Sequence, residues 1–393
     1  MRVDKSLLSR TKEEEFININ PIQVGGRLTP EARKALVAYG DGYSVCDYCL
    51  SPFRLDYIKK PPVAQFYQEL AEFVGMDMVR VMPGARRGFQ AVMQSFISKG
   101  DTVLVSSLAH YTLILAIEGA GGIWREIPLN KDNIITGKAT EEKIKKVKSK
   151  TGKFPKLIAI PHFDYQFGNE HDVFEVAKVA QKYEILFLYN GAYSIGILPI
   201  DGKKIGADFV VGSGHKSMAS PAPTGVLATT DDLAKKLFRT SQTEGDATGR
   251  KFGVKEVELL GCTVMGGPLV AMMASFPKVE ERVRSWDEEV KKSNYFINQF
   301  LRIKGNEVLS EMPRKHTLTK VNTIKSFGKI AKTNKRKGYF LYDALRKRGV
   351  IGLFPGATNQ WKLNTYGLTW DQVKYLANTF LEIARENGLH VKA

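Results

Sequence analysis

The stretch DFVVGSGHKSMASPAPTG (residues 208–225) runs from an apolar segment straight into a lysine set among small residues, with a histidine in front and a proline-rich segment behind. DFVVG has the branched, apolar make-up of a strand, and the Gly, Ser and Pro residues that follow end it. Lys216 therefore sits at a strand end beside His215, a setting that strips water from an amine and favours its neutral, nucleophilic form. One lysine among 58 Lys and Arg residues says little alone, so its meaning depends on what surrounds it.

Upstream of this stretch, from about Met76, short apolar runs alternate with amphipathic ones. The runs are DMVRVMP, DTVLVSS, GIWREIPL, KLIAIPHFD, ILFLYN and DFVVGSG. Between them, GFQAVMQSFISKG, TLILAIEGAGG, TEEKIKKVKSK and DVFEVAKVAQKYE place apolar residues three and four apart, the helical period. Strand and helix in alternation predict an α/β fold, a mostly parallel sheet with helices on both faces. In such sheets ligands gather at the carboxyl ends of the strands. Residues 266–303 read as a long connecting helix that Pro277 should kink or break. We expect an arm over residues 1–75, a large domain over 76–303 and a small α+β domain over 304–393.

Of the 393 residues, 43% are hydrophobic and 25% charged, a balance that supports a sizeable core. No run of about 18 apolar residues suggests a membrane span, and the charged amino end is unlike a secretory signal, so a cytoplasmic protein is expected. The formal net charge of +17 points to a polyanionic partner, although a basic proteome would give the same sum. Two clusters, KIKKVKSKTGKFPK (143–156) and TNKRKGYFLYDALRKR (333–348), concentrate that charge. Three cysteines, Cys46, Cys49 and Cys262, are too few for a disulfide framework; free thiols, a metal site or redox work remain. Cys46 and Cys49 form a lone C-x-x-C in a Gly- and Pro-marked loop, so a four-cysteine zinc site cannot close within one chain.

Three strand-end features line up with Lys216. MPGARRGFQAVM (82–93) ends a strand and opens a helix, so backbone N–H groups near Gly84, Ala85 and Arg86 can receive an anion, or the glycines simply permit a tight turn. His110 follows DTVLVSS, where an imidazole can stack on a ring or move a proton, or serve structure only. Asn190 ends ILFLYN, and its amide can meet a heterocycle nitrogen or cap the next turn. Anion loop, ring stacker, ring-nitrogen partner and amine, in that order, describe a pyridoxal phosphate pocket.

The segments VCDYCLSPF, MPGARRGFQAVMQSF, IPHFDYQFGNEHDV, LYNGAYSIG and VGSGHKSMASPAPTGVLA resemble the archaeal O-phosphoseryl-tRNA:cysteinyl-tRNA synthases. That family consists of fold-type I pyridoxal phosphate enzymes, and the resemblance extends over essentially the whole chain. It implies a large, mostly parallel seven-stranded domain with a small carboxyl-terminal one. It implies Lys216 as the Schiff-base lysine, Ala85 and Arg86 at the cofactor phosphate, and His110 stacked on the ring. Asn190 would meet the ring, with Ser213, Gly214 and His215 completing the pocket.

The reaction so implied is a β-replacement. Phosphoserine on tRNA(Cys) loses its phosphate and gains sulfur, with Lys216 moving the Cα proton. Cys46, Cys49 and Cys262 would handle the sulfur as persulfide carrier and releasing thiol, or hold an iron–sulfur cluster; sequence leaves both open. The MGGP turn (265–268) resembles the place where such dimers reach a neighbour's cofactor phosphate, so a homodimer is expected. The phosphoseryl-tRNA synthetase is a further expected partner. Arg86, Arg87, Arg250 and His110 are candidates for the substrate phosphate. The rival readings are a cysteine desulfurase and a non-catalytic tRNA-binding scaffold; against the first, no cysteine lies beyond Cys262.

Overall fold

The six apolar runs become strands of one sheet in the computed structural model, which describes residues 16–22, 27–41, 58–240, 243–251 and 265–392. Three elements precede the sheet: β1 (Ile17–Asn18), α1 (Pro30–Ala38) and α2 (Val63–Val74). The alternation opens with β2 (Met78–Met82), α3 (Ala85–Phe96), β3 (Thr102–Ser106), α4 (Tyr111–Gly119) and β4 (Ile123–Ile127). It continues with α5 (Gly137–Thr151), β5 (Leu157–Pro161), α6 (Val173–Lys182) and β6 (Leu186–Asn190). The short α7 (Gly202–Ile205), β7 (Phe209–Ser213), the single turn α8 (Gly214–Ser217), β8 (Gly225–Thr229) and α9 (Asp231–Leu237) complete it.

The strand order is β2-β8-β7-β6-β5-β3-β4. Neighbours from β4 to β7 pair in parallel, whereas β8 runs antiparallel to both β2 and β7. The mostly parallel seven-stranded sheet that the family resemblance implies is thus present, with β8 as its antiparallel member. The central strands LIAIP, FVVGS and GVLAT are buried at every position, because helices cover both faces. Gly88 lets α3 lie close to the sheet: a Cβ there would come within 3.0 Å of Met82 Sδ and of Val211 Cγ1.

α10 (Gly266–Arg284) continues unbroken through Pro277, and the break comes at Ser285, before α11 (Trp286–Phe300). Phe276, Val279 and Val283 are buried on both sides of the proline. Their packing outweighs the missing N–H donor, an effect of about 3 kcal/mol.

The described residues within 25–165 and 170–286 form one compact unit, and those within 1–24, 166–169 and 287–393 form a second. The second unit holds α11, β9 (Glu307–Val308), β10 (Leu318–Asn322), α12 (Phe327–Thr333), α13 (Tyr339–Lys347), β11 (Val350–Ile351), β12 (Gln360–Asn364) and α14 (Trp370–Glu386). β10 sits between antiparallel β9 and β12, and β1 pairs with β11 in parallel. Phe296, Phe300, Trp361 and Phe380 form the aromatic centre of its core, with the Trp361 and Phe380 rings stacked at 5.8 Å. α14 starts on a reciprocal cap in which Thr369 and Gln372 satisfy each other's backbone N–H groups. No helix among the described residues is long and apolar enough to cross a membrane.

Candidate active site

Strand register brings the loops that matter to one edge of the sheet. Met82 at the end of β2 pairs with Gly225 at the start of β8, and Gly225 pairs in turn with Ser213 at the end of β7. One row of residues therefore joins the GARRG turn to the loop carrying Lys216. Asn190 at the end of β6 pairs with Val211 on one side and Pro161 on the other. Because β8 is antiparallel, its start lies level with the ends of its neighbours.

Gly84 caps α3 with φ +86°, a conformation that favours glycine, and the N–H groups of Ala85 and Arg86 open the helix without intrahelical acceptors. Gly225 faces this turn so closely that a Cβ on it would stand 2.4 Å from Gly84 C and 2.6 Å from Ala85 N. The cradle is built from two backbones in contact. An anion placed here would meet N–H dipoles and the positive end of α3.

Lys216 lies in the turn α8, with Nζ over the Tyr193 ring at 4.2 Å from its centroid. Gly214, two residues earlier, is held by Thr224 and Met272: a Cβ on it would come within 2.7 Å of Thr224 Oγ1 and 2.5 Å of Met272 Cε. The Tyr193 hydroxyl is buried, and burial pushes its pKa up to about 12, with the nearby Asp164 adding to the effect. At neutral pH the phenol keeps its proton.

His215 Nδ1 stands 3.1 Å from the Thr224 carbonyl oxygen and so donates to it, leaving Nε2 as the acceptor. Burial holds His215 below the ordinary imidazole range; the Thr224 contact opposes this, and the charge of Lys216 adds to it. Ser213 is buried, with Oγ 3.5 Å from the His215 ring nitrogens.

Asn190 is buried, and its Oδ1 accepts the Ala192 N–H at 3.1 Å. Its side chain does cap the turn, and the cap fixes the amide orientation. With Oδ1 committed to the backbone, Nδ2 is the end that a ligand would meet, as a donor. His110 caps α4: Nδ1 lies 2.9 Å from Thr112 Oγ1 and 3.4 Å from Thr112 N, while the ring packs edge-on to Tyr165 at 5.3 Å.

Behind these residues lies a polar cluster that sequence reasoning passed over. His162 Nδ1 meets Tyr189 Oη at 2.7 Å and its Nε2 meets Glu170 at 3.3 Å. His171 Nδ1 accepts the Ile135 N–H at 2.9 Å, and Nε2 points at Asp164 Oδ2, 3.8 Å away. Both His171 and Asp164 are fully enclosed, and burial pushes His171 down to about 4, so it is neutral. The side chains of this cluster, apart from Tyr189, lie in IPHFDYQFGNEHDV, a segment singled out for its likeness to a family and not for its chemistry. Tyr193, three residues after Asn190, lies in LYNGAYSIG, again a segment singled out for likeness to a family and not for its chemistry.

Arg86 is exposed beside the cradle, Arg87 is half-buried, and Arg250 is exposed in the segment that bridges Glu244 and Lys251. Gly267 has a packing reason within the chain: a Cβ on it would press to 3.1 Å from Tyr39 O. Cys46, Cys49 and Cys262 lie outside the described residues. Among the described residues, no His, Cys, Asp and Glu group is arranged to hold a metal ion.

The donor set fits a phosphorylated pyridine aldehyde. The α3 cradle suits the phosphate, Asn190 Nδ2 suits a ring nitrogen, and Lys216 Nζ suits the carbonyl carbon.

A family profile for class-V aminotransferases matches residues 63–268. The chain is 66% identical over 391 residues to O-phospho-L-seryl-tRNA:Cys-tRNA synthase 1 of Methanococcoides burtonii, covering 100% of this chain and 85% of that relative. It is 56% identical to O-phospho-L-seryl-tRNA:Cys-tRNA synthase of Methanoculleus marisnigri, covering 100% of both. Among solved structures, a SepCysS–SepCysE N-terminal domain complex matches with TM-score 0.88 and 41% identity, covering 98% of this chain and 100% of the other. A cysteine desulfurase from Thermococcus onnurineus NA1 matches with TM-score 0.71 at 16% identity, covering 98% of this chain and 99% of the other; that is a likeness of fold alone.

Proposed function

This chain belongs to the O-phospho-L-seryl-tRNA:Cys-tRNA synthase family, on the class-V aminotransferase fold, and from that premise we propose how its residues carry out the reaction. It is a pyridoxal phosphate-dependent transferase that converts O-phosphoseryl-tRNA(Cys) to cysteinyl-tRNA(Cys), replacing phosphate at Cβ with sulfur. Bound pyridoxal phosphate supplies an electron sink for the charge left when the Cα proton departs.

Lys216 Nζ would hold the cofactor through its carbonyl carbon, and as a free amine it is placed to take the Cα proton and return it. The Tyr193 ring beneath Nζ keeps the amine in place when it carries that proton. Ala85 and Arg86 would hold the cofactor phosphate through backbone N–H groups, and His110 would pack against the ring. Asn190 Nδ2 would donate to the ring nitrogen; a neutral amide makes no ion pair there, so it would support a weaker sink than a carboxylate does. Phosphate is a good leaving group, and a weak sink suffices for it. Ser213, Gly214 and His215 close the pocket, with the His215 ring fixed by Thr224.

Cys46, Cys49 and Cys262 handle the sulfur: one takes sulfane sulfur as a persulfide from a persulfide-level donor, its outer sulfur bonds to Cβ as phosphate leaves, and a second thiolate attacks the carrier sulfur, freeing the product thiolate and leaving a disulfide that an outside thiol reduces. Single Cys→Ala variants should lose sulfur transfer yet keep the cofactor. Stoichiometric iron in the purified protein would favour a cluster on the same three thiolates instead. The working unit in this reading is a homodimer, with the turn at Gly266 serving the neighbouring cofactor, and the chain works with the enzyme that forms phosphoseryl-tRNA.

The observation that carries this reading is the row Met82–Gly225–Ser213, which sets an anion cradle and the Lys216 turn side by side. The test is to incubate phosphoseryl-tRNA and sulfide with wild type and with Lys216→Ala, then identify the amino acid on the tRNA. Cysteine with wild type only is expected; phosphoserine unchanged by wild type would overturn it.

A further inference from the structure

A cleft of about 560 Å³ opens at the far end of the same sheet edge, lined by Ser107, Pro128, Lys143 and Lys146, with Glu126 and Glu142 on its walls. Ser107 directly follows β3 and stands three residues before His110; Pro128 directly follows β4. The cleft and the Lys216 pocket thus share the edge where the parallel strands end.

On α5, Lys143, Lys146 and Lys150 recur at i, i+3 and i+7, which puts them on one helical face. Two other lysines of this helix have local partners: Lys145 pairs with Glu141, which also takes Lys182, and Lys148 Nζ donates to Gly152 O at 2.7 Å while lying over the Phe154 ring. Among the described residues, Lys143, Lys146 and Lys150 make no ion pair within 4.0 Å. The fold adds Arg125 from the exposed edge strand β4 to the same place. Burial, then Lys146 and Arg125, and more weakly Lys150 all loosen the Lys143 proton, opposed by Glu126. Four cations from two elements therefore converge beside two carboxylates and repel one another, and an outside anion would relieve that repulsion.

We propose that the cleft and the Lys143–Lys146–Lys150 face, with Arg125, form the docking surface for the RNA strand that carries the substrate amino acid to Lys216. This rests on the reading of the chain as a tRNA-dependent enzyme. A partner bound at Lys216 by its aminoacyl end and extending along the sheet edge would lay its phosphodiesters across this face. The contacts are to backbone charge and carry no sequence preference.

The test uses the full chain loaded with cofactor and an unacylated tRNA(Cys) transcript, with affinity measured across a salt series. Lys143→Gln/Lys146→Gln/Lys150→Gln should bind roughly tenfold more weakly, and its plot of log affinity against log salt should be shallower by about 2 to 3 units, three phosphate contacts' worth. Turnover should show a raised KM for phosphoseryl-tRNA with kcat unchanged. Lys145→Gln/Lys178→Gln, which removes two lysines paired to Glu141 and Glu175, should behave as wild type. Affinity and salt slope of the triple variant equal to wild type would overturn the surface while leaving the proposed reaction standing. Binding of phosphatidylserine vesicles in preference to tRNA, lost in the triple variant, would overturn RNA as the occupant. Wild type that neither binds tRNA nor alters phosphoseryl-tRNA would overturn the reaction itself, and the surface with it.

Discussion

Lys216 Nζ rests 4.2 Å from the centroid of the Tyr193 ring, so the amine lies against an aromatic face that attracts it when charged. Such a contact is worth about 2 kcal/mol when desolvated. Tyr193→Phe keeps the face and should bind and turn over nearly as wild type. Tyr193→Leu loses it, and we expect cofactor affinity to fall roughly tenfold, near 1.4 kcal/mol. Spectral titration with pyridoxal phosphate reads this directly; equal affinity in the Leu variant would show that the ring contributes only volume.

Gly225→Ala tests the cradle by steric means. The new Cβ would meet backbone atoms of Gly84 and Ala85 at 2.4 and 2.6 Å, which have no rotamer by which to retreat. We expect a loss of about 1–3 kcal/mol in unfolding free energy and a clear drop in affinity for the cofactor. Thermal melting with and without cofactor separates the two, and an Ala variant with unchanged melting and affinity would refute the close approach.

Asn190→Asp keeps an oxygen for the Ala192 N–H, so the turn should survive. What changes is the donor at the ring nitrogen, replaced by a charge. The absorbance of the bound cofactor and the turnover number should both move. If neither does, the amide is a turn cap and nothing more.

His171 makes stability fall in acid. Its native pKa lies at about 4 against an ordinary 6.5, so the folded state resists the proton that the unfolded chain accepts. The stability it supports is complete above pH 6.5 and drains away as pH falls toward 4, by about 3 kcal/mol at that end. The groups facing it are Asp164 at 3.8 Å and His162. His171→Asn retains an acceptor for the Ile135 N–H and removes the titration. Chemical denaturation of the variant at pH 7 and pH 4 should show a smaller difference than wild type; an unchanged difference would place the acid sensitivity elsewhere.

Much of the large sheet was legible because buried parallel strands leave an unmistakable trace of short apolar runs spaced by helices. DTVLVSS and ILFLYN became β3 and β6 within a residue, and KLIAIPHFD became β5, which ends three residues short of the run, at Pro161. β8 was not read, since GVLAT follows a proline-rich segment and only the single turn α8 separates it from β7. Its antiparallel direction follows from that short return, and composition carries no record of direction. Pro277 misled for a related reason: propensity is local, and the packing of Phe276 and Val279 that overrides it is not.

The sequence by itself determined the sheet, the anion-ready start of α3 and the strand ends bearing His110, Asn190 and Lys216, because periodicity and residue chemistry are properties of neighbours along the chain. Only the tertiary structure put Gly225 against Gly84, turned the Asn190 amide, set Tyr193 under Lys216, enclosed His171 with Asp164 and brought Arg125 beside Lys143. Those pairs lie between 2 and 141 residues apart, and their closeness follows from strand order and burial, which act on the folded chain as a whole.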